Sequence, residues 1–369
     1  MTITPNPVAQ TQAGRLPALK ENADFLRRMS EGWGVPDRAP RLTPGAAAAA
    51  AGHRERLSAA WPGTLLVVSA GAAMLRNDDE FFPFRADSNF LWLTGCSSPD
   101  AVLVMFPRAG GHDSVLFLTE PVTAAHPGYL SERERSELWM GGSPSLHEWS
   151  ETLGVPVQSL EAMGTVLRKA AGQATRSAGR PSAASGLLDI SPAFTPSAEL
   201  ARSLSELRLI KDDWEIGQLR YAVDATVEGF AAVAAELRRA TEGGGERWLQ
   251  GTFDRTARTL GNATGYRTIV AAGEHAPVLH WTRNDGPVRD GDLLLLDAGV
   301  ETRTFYTSDV TRTFPISGSF SAPQRAVHDL VQAAHEAGIG AVRPGNTFTD
   351  FHHAAMAVIA EGLHDWGML

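Results

Sequence analysis

Two apolar segments that each carry an aspartate constrain the fold of this chain more than any other feature. Residues 293–298 read LLLLDA, and Asp309 follows Asp297 twelve residues later, before Val-Thr-Arg-Thr. If 293–299 and 305–314 pair as an antiparallel hairpin around 302–304, Asp297 and Asp309 lie directly opposite each other on one face. Like charges in that position destabilise a sheet unless a cation lies between them.

Carboxylate oxygens are hard ligands that suit Mn, Mg or Ca, and Zn or Co in dinuclear sites. Two metals bridged in this way hold a hydroxide and polarise a carbonyl, which is the chemistry of a metallo-aminopeptidase. An aspartate at the end of a strand also commonly caps a turn. The spacing alone therefore leaves both a metal site and a turn cap open.

Composition narrows the classes of protein to which the chain can belong. Its 369 residues predict two domains, and 43% hydrophobic with 20% charged residues is typical of a globular protein. The net charge of -9 argues against nucleic-acid binding. The single cysteine excludes an intrachain disulfide and favours a reducing compartment. The N-terminal residues lack the apolar core of a signal peptide, and no apolar run approaches the roughly 20 residues of a membrane span. We therefore expect a cytoplasmic protein that does not bind membranes.

The first half of the chain alternates predicted helices and strands. Prolines in residues 1–44 predict an extended arm, followed by a domain over 45–200. Within that domain we predict a helix over 46–60, a buried strand over 64–71, a hairpin over 101–119 with a loop longer than the tightest type, and a surface linker over 170–186.

The second half contains the clearest helix and a second domain over 205–369. Asp212 and Glu215 predict a capping box at the start of the helix. Apolar residues at steps of three and four then predict one buried stripe: Ile216, Leu219, Val223, Val227, Phe230, Val233 and Leu237. A strand over 266–273 and helices over 324–342 and 347–363 follow.

The sequence segments around the aspartate pair resemble those of a known family. LLLLDAGVETRTFYTSDVTRTFPISG is similar to the aspartate hairpin of the aminopeptidase P branch of the pita-bread metallopeptidases, and HWTRNDGPVRDGDLLLLDAG resembles the segment that leads into it. LRLIKDDWEIGQLRYA resembles the entry to the first catalytic helix. FFPFRADSNFLWLTGCSSPDAVLVMF resembles the amino-terminal domain, with an arginine-containing turn, an aromatic strand and a hairpin.

The resemblance implies a mixed α/β (α+β) fold, with an N-terminal creatinase/prolidase-like α/β domain and a partial pita-bread catalytic domain. It also implies a metal-dependent Xaa-Pro aminopeptidase, which releases the N-terminal residue from peptides with proline in second position. Asp297 and Asp309 would ligate two Mn ions, with Zn or Co as alternatives, and Asp309 would bridge or chelate both. His280 would be a catalytic residue that lines the site and contacts the substrate or transition state, and Tyr266 would lie near the substrate. Family members are often dimers or tetramers, which implies a homo-oligomer.

Two features qualify that picture. Without the family resemblance, His280 is interpreted as a packed histidine beside Trp281.

In the family a histidine and two glutamates complete the ligand set after the hairpin, whereas this sequence ends at AEGLHDWGML. We therefore expect a C-terminally truncated and inactive chain, because two aspartates alone offer too few donors for two ions. Adjacent histidines on a helix point about 100° apart, so His352 and His353 are not expected to replace the missing ligands. A prolidase-type Xaa-Pro dipeptidase and a non-catalytic oligomerising module remain alternatives.

Overall fold

The computed structural model of the chain describes residues 22–29, 31–32, 34, 36–78, 80–170, 172–190 and 194–369. The chain divides into two compact units, Met1–Ile216 and Gly217–Leu369. Most of the predicted arm lies outside the described residues, and its described part includes a short helix, α1 (Ala23–Met29).

A five-stranded sheet forms the centre of the first unit. Its strand order is β6-β5-β4-β1-β7, in which β4 pairs antiparallel with β1 and β5, while β7 and β6 add in parallel at the two edges. Its strands are β1 (Leu65–Ser69), β4 (Val102–Arg108), β5 (Gly111–Leu118), β6 (Val157–Ser159) and β7 (Thr175–Gly179); β2 (Leu75–Asn77) and β3 (Glu80–Phe81) form a separate pair.

Helices cover both faces of this sheet. They are α2 (Ala46–Ala60), α3 (Ser88–Thr94), α4 (Glu137–Met140), α5 (Leu146–Leu153), α6 (Leu160–Lys169), α7 (Leu187–Ile190) and α8 (Ala198–Leu209). Along β1, Leu66 and Val68 face one apolar cluster, and Leu65 and Val67 face the other. The continuous apolar run of β1 follows from burial on both faces.

Three predictions in this unit were wrong and two were confirmed. The helix over 46–60 and the strand within 64–71 form as expected. The hairpin over 101–119 has a loop of the tightest kind, because Arg108 pairs directly with Gly111. The predicted linker contains β7. The predicted aromatic strand is the helix α3, because Asp87 caps its start by accepting from the Asn89 amide and Gly95 ends it with a φ of 69°.

Helix α9 (Asp213–Ala235) begins with the expected capping box. The Asp212 amide donates to Glu215 Oε2 at 2.9 Å, and the Glu215 amide donates to Asp212 Oδ1 at 2.8 Å. The predicted stripe is buried only in its second half, however. Val233 is buried and Phe230 and Leu237 pack against the core. Ile216, Val223 and Val227 are exposed, whereas the buried positions earlier in the helix hold smaller residues: Ala222, Ala225, Thr226 and Gly229. Small side chains let the helix approach its neighbours closely, and hydrophobicity alone does not reveal that face.

The second unit is built around a three-stranded sheet with the order β12-β10-β9. Its elements are α10 (Leu237–Arg239), a π-helical turn (Ala240–Gly244), α11 (Gly245–Leu260), β8 (Ala263–Thr264), β9 (Ile269–Ala272), a 3-10 turn (Gly273–His275), β10 (Leu293–Ala298), β11 (Val300–Glu301), β12 (Val310–Pro315), α12 (Ala322–Ala341) and α13 (Phe348–Asp365). Leu294, Leu296 and Ala298 point into a core with Phe253 and Leu249 of α11. Strand alternation therefore places Asp297 on the face opposite the core.

The strand register differs from the predicted one by two residues. Asp297 pairs with Thr311, and Ala298 pairs with Val310, so Asp309 does not lie directly opposite Asp297. The extra length is taken up by the turn, in which the Thr302 amide donates to the Tyr306 carbonyl and Phe305 has a φ of 66°. Because side chains alternate between the two faces of a strand, a register shift of two residues leaves each side chain on the face that was predicted.

The last two helices lie where the sequence predicted them. Capping boxes at Ser321 and Thr347 start α12 and α13. Large apolar side chains are exposed on both helices: Val327, Val331, Ile339, Phe348 and Met356. None of the helices in the described part of the chain combines the length and apolar character that a membrane crossing needs.

Candidate metal centre

Tyr266, Asp297 and Asp309 come together at the outer face of the second unit's sheet. The Tyr266 hydroxyl lies 2.6 Å from Asp297 Oδ1 and 2.9 Å from Asp309 Oδ1. Asp297 and Tyr266 are half-buried, and Asp309 is exposed. The two aspartates that the sequence placed on one face of a hairpin thus share a single hydrogen-bonding partner.

The single hydroxyl proton of this cluster cannot satisfy both of its carboxylates. A phenol carries one proton, so Tyr266 donates to only one carboxylate at a time, while the other faces an oxygen lone pair. Burial, and then the hydrogen bonds to Asp297 and Asp309, raise the pKa of the Tyr266 hydroxyl, so it stays protonated. Two carboxylates converging on one neutral donor favour a cation beside them.

Strand pairing fixes Asp297, and the other two side chains lie just before neighbouring strands. Asp297 lies near the end of β10 and pairs with Ile269 of β9, and Tyr266 precedes that strand by a short connection. Asp309 is the residue immediately before β12. Gly299 passes so close to the Ser308 carbonyl that a Cβ there would overlap it, so the backbone beside Asp309 needs a glycine partner.

Helix α9 anchors the segment that carries Asp309. The Thr226 hydroxyl lies 2.6 Å from the Ser308 hydroxyl and accepts from the Val300 amide at 2.9 Å. Ser308 in turn donates to the Ala222 carbonyl at 3.1 Å. Sequence reasoning missed Thr226 and Ser308, because isolated hydroxyls 82 residues apart give no local pattern.

His280 lies apart from the hydrogen bonds of that cluster. It is exposed and belongs to the connection between β9 and β10, in a stretch that we call the His280 loop (residues 273–286). Within the described residues, no side-chain hydrogen bond joins His280 to Tyr266, Asp297 or Asp309. The structure therefore brings three of the four predicted site residues together and places the fourth on a neighbouring loop.

A buried glutamate beneath that loop was also missed. Glu246 of α11 is fully buried and accepts hydrogen bonds from groups at both ends and in the middle of the His280 loop. A lone glutamate at the start of an amphipathic helix reads as a solvated residue or a cap. The only available signal was its position in the first turn, which does not predict burial.

The ligand set at the aspartates is incomplete within the described chain. No histidine, cysteine or further carboxylate among the described residues completes a three-ligand cluster with Asp297 and Asp309. Two carboxylates with a neutral phenol between them still have the hard-oxygen chemistry that divalent cations prefer. The residues present therefore fit part of a metal site, and His352 and His353 do not join it.

A different cluster in the first unit has three metal-type ligands within reach of one another: His53, Asp212 and Glu215. Its geometry indicates another role. His53 Nδ1 lies 2.7 Å from the Trp92 carbonyl and Nε2 lies 2.9 Å from Asp212 Oδ2. Both partners are acceptors, so both ring nitrogens donate and the ring is an imidazolium.

Burial alone would lower the pKa of His53, but hydrogen bonds to Glu215, the Trp92 carbonyl and Asp212 outweigh it and raise that pKa. The ring also stacks on Trp92 at 4.2 Å, and the Trp92 indole donates to Glu215 Oε1 at 3.1 Å. Since the carboxylates already cap α9 and bind the imidazolium, this cluster is a structural ion pair.

Comparison with known proteins identifies relatives for both halves of the chain. Residues 217–368 match the model of metallopeptidase family M24, and residues 50–177 match that of the aminopeptidase P N-terminal domain. The chain is 45% identical over 357 residues to Xaa-Pro aminopeptidase 2 of Streptomyces coelicolor, covering 94% of this chain and 74% of that protein.

Solved structures agree with these matches. The low-pH form of aminopeptidase P from E. coli superposes with a TM-score of 0.77 at 26% identity, covering 89% of this chain and 75% of that one. A zinc-substituted E. coli aminopeptidase P in complex with product has a TM-score of 0.76 at 27% identity, covering 88% and 74%. The chain is thus similar to these proteins in both sequence and fold.

Proposed function

Because this chain belongs to metallopeptidase family M24, with the aminopeptidase P type of N-terminal domain, we propose that it is a metal-dependent Xaa-Pro aminopeptidase. Its substrate is a peptide with proline in second position, and its product is the released N-terminal residue. The observation that carries this proposal is the convergence of Asp297 and Asp309 on the Tyr266 hydroxyl, in a chain 45% identical to an Xaa-Pro aminopeptidase.

Asp297 and Asp309 are the residues that hold divalent metal in this proposal. They lie on the solvent side of the sheet, and their charges lack a cationic partner within the cluster. When bound, the metal activates water and polarises the scissile carbonyl. We propose Mn as the native ion, with two ions in a complete site and Zn or Co as alternatives; a zinc-substituted aminopeptidase P among the structural relatives supports that range.

Tyr266 and His280 act on the substrate side. The Tyr266 hydroxyl lies within hydrogen-bond distance of both carboxylates, so it helps to orient them. The exposed His280 ring, on a loop that begins where β9 ends, is available to contact the peptide. A negative site also favours the protonated N-terminal amine of a peptide.

The organisation of the chain follows the same proposal. We propose an arm over 1–44, an amino-terminal domain over 45–200 and a catalytic domain over 205–369; the family matches over 50–177 and 217–368 support the two domains. We propose a cytoplasmic location, which the single, buried Cys96 supports. We also propose a homo-oligomer, a dimer or tetramer, which the exposed apolar residues of α12 and α13 support.

Hydrolysis of short peptides by the purified chain tests the function. The incomplete ligand set predicted an inactive chain from the sequence, but the similarity to an Xaa-Pro aminopeptidase over 94% of this chain leads us to expect activity. We expect Mn-dependent release of the first residue from an Xaa-Pro-Xaa tripeptide, and its loss on chelation. Cleavage of only an Xaa-Pro dipeptide would indicate a prolidase instead. A folded, metal-loaded chain that cleaves neither peptide would contradict the proposal and favour a non-catalytic oligomerising module.

Matched variants separate a site effect from a charge effect. Asp309→Asn removes a proposed ligand and should lower kcat/KM by about a hundred-fold or more. Asp365→Asn removes the same charge from the exposed end of α13 and should leave activity unchanged. Equal effects of the two substitutions would exclude a specific role for Asp309.

A further inference from the structure

We propose that Glu246 is a positioning residue that fixes the His280 loop (residues 273–286) and thereby the placement of His280. The inference rests on the proposed function only for what His280 does to a substrate. That Glu246 orders the loop rests on the hydrogen bonds of the structure itself.

The Glu246 carboxylate is fully buried and accepts four hydrogen bonds. Oε1 accepts from the Ala272 amide and from His275 Nδ1, both at 2.8 Å. Oε2 accepts from the Trp281 indole at 2.7 Å and from the Gly286 amide at 2.8 Å. A buried carboxylate without partners is strongly destabilising, so this full set of donors is what permits its burial.

The four donors span the whole loop. Ala272 ends β9, His275 lies at the start of the loop, Trp281 in its middle and Gly286 at its end. One side chain thus holds the beginning, centre and end of a fourteen-residue segment without regular strand or helix pairing beyond a short 3-10 turn. A connection of this length without regular structure loses much conformational entropy on ordering, so a side chain that binds it at several points is an effective anchor.

Close packing around the carboxylate supports the same role. The His275 and Trp281 rings stack at 3.8 Å, and the Arg283 guanidinium lies 4.6 Å from the Trp281 ring. A Cβ at Gly286 would overlap the His275 ring, and a Cβ at Gly245 would lie 2.7 Å from the Gly286 carbonyl. The two glycines let the loop end approach α11 closely enough for these bonds.

A second tether connects the loop to the strand beside the metal centre. The fully buried Asn284 accepts from the Val270 amide at 2.8 Å and donates to the Thr268 carbonyl at 2.9 Å. Those two positions flank Ile269, the partner of Asp297 in the sheet. The loop is therefore held in fixed register with the strand that supports the aspartates.

Glu246 reaches His280 through Trp281. The indole hydrogen bond fixes Trp281, and His280 is the residue immediately before it in the chain. In the part of the chain that the structure describes, Glu246 forms no hydrogen bond with Tyr266, Asp297 or Asp309. Loss of the carboxylate should therefore disturb the loop and leave metal binding at the aspartates intact.

Glu246→Gln and Trp281→Phe test this inference in the full chain. The glutamine keeps the shape of the side chain but presents an amide NH₂ to groups that are themselves donors. The phenylalanine keeps an aromatic ring but is smaller than the indole, so it removes the N–H donor together with part of the ring that stacks on His275. Glu274→Gln, at an exposed position of the loop, is the matched control.

Hydrogen exchange followed by mass spectrometry reports loop order directly. We expect faster exchange over 273–286 in both variants, unchanged exchange in α12 and α13, and unchanged Mn affinity. With Xaa-Pro-Xaa as substrate, kcat/KM should fall about ten- to a hundred-fold in Glu246→Gln, as expected for a displaced substrate contact. The double variant should show less than the sum of the two single effects.

The outcomes are distinguishable. Unchanged loop exchange in Glu246→Gln would overturn the inference, whatever the activity. Faster loop exchange with unchanged peptide hydrolysis would show that Glu246 orders the loop but that this order is not needed to place His280 for catalysis. If the parent chain cleaves no peptide, the proposed function fails, while the exchange measurement still decides whether Glu246 orders the loop.

Discussion

The hydroxyl of Tyr266 lies 2.6 Å from Oδ1 of Asp297, and Asp309 Oδ1 approaches the same hydroxyl at 2.9 Å. The phenol separates two carboxylates that would otherwise repel each other. This contact links the end of β10 to the segment before β9, and it explains how the two carboxylates lie close to each other.

Replacing Tyr266 with phenylalanine should cost more stability without metal than with it. Without metal, Tyr266→Phe removes the shared donor and should lower the free energy of unfolding by about 1–3 kcal/mol. Added Mn should then stabilise the variant by more than it stabilises the parent, because metal replaces the missing donor. Thermal melts with and without Mn measure both effects, and equal increments of Tm in the two proteins would contradict this account.

Thr226 should support the segment that carries Asp309. Thr226→Val keeps the shape but leaves the Val300 amide without its acceptor, and it removes one of the two hydrogen bonds of the Ser308 hydroxyl, which keeps its bond to the Ala222 carbonyl. The free energy of unfolding should fall by about 1–3 kcal/mol, the cost of an unsatisfied buried polar group. Denaturant unfolding measures it, with exposed Thr259→Val as the control. A loss no larger than that of the control would show that the anchor is unimportant.

His53 should make stability depend on pH. Its pKa in the folded chain lies above the ordinary 6.5, so its contribution is complete below about pH 6.5 and declines as pH rises through the folded value. His53→Gln should therefore cost most at pH 6 and less at pH 9. Denaturant unfolding at the two pH values measures this, with exposed His147→Gln as control. A cost that grows with pH would contradict the imidazolium assignment.

The exposed apolar side chains of α12 should promote self-association. Val327 and Val331 are four residues apart and 52% and 55% exposed, so they lie on one helix face. Light scattering after size-exclusion should show a mass that rises with protein concentration, and Val331→Lys should reduce that rise. A concentration-independent monomer for the parent chain would contradict this expectation.

Local signals were predicted well from the sequence. The alanine run of α2 and the capping box at Asp212 involve residues close in sequence, so pattern and propensity determine them. The two aspartates were assigned to one face of a hairpin, because strand alternation is a local rule. Their exact pairing was wrong by two residues, since the turn at Phe305 depends on a left-handed backbone that no glycine signals.

Features that depend on distant partners were not predicted. Strand β7 consists of Thr-Arg-Ser-Ala-Gly and is a strand only because it pairs in parallel with β1. Glu246 is buried only because its donors come from residues 26 to 40 positions later. In both cases tertiary contacts override local propensity, so single-sequence patterns carry no trace of them.

Titration of Mn into the metal-free chain tests the central claim most directly, with Asp297→Asn, Asp309→Asn and the control Asp365→Asn measured in parallel by calorimetry. The account predicts saturable Mn binding in the parent and the control, and a loss of affinity of about ten-fold or more in each site variant. Unchanged affinity in Asp297→Asn and Asp309→Asn would show that the metal binds elsewhere and would contradict the account.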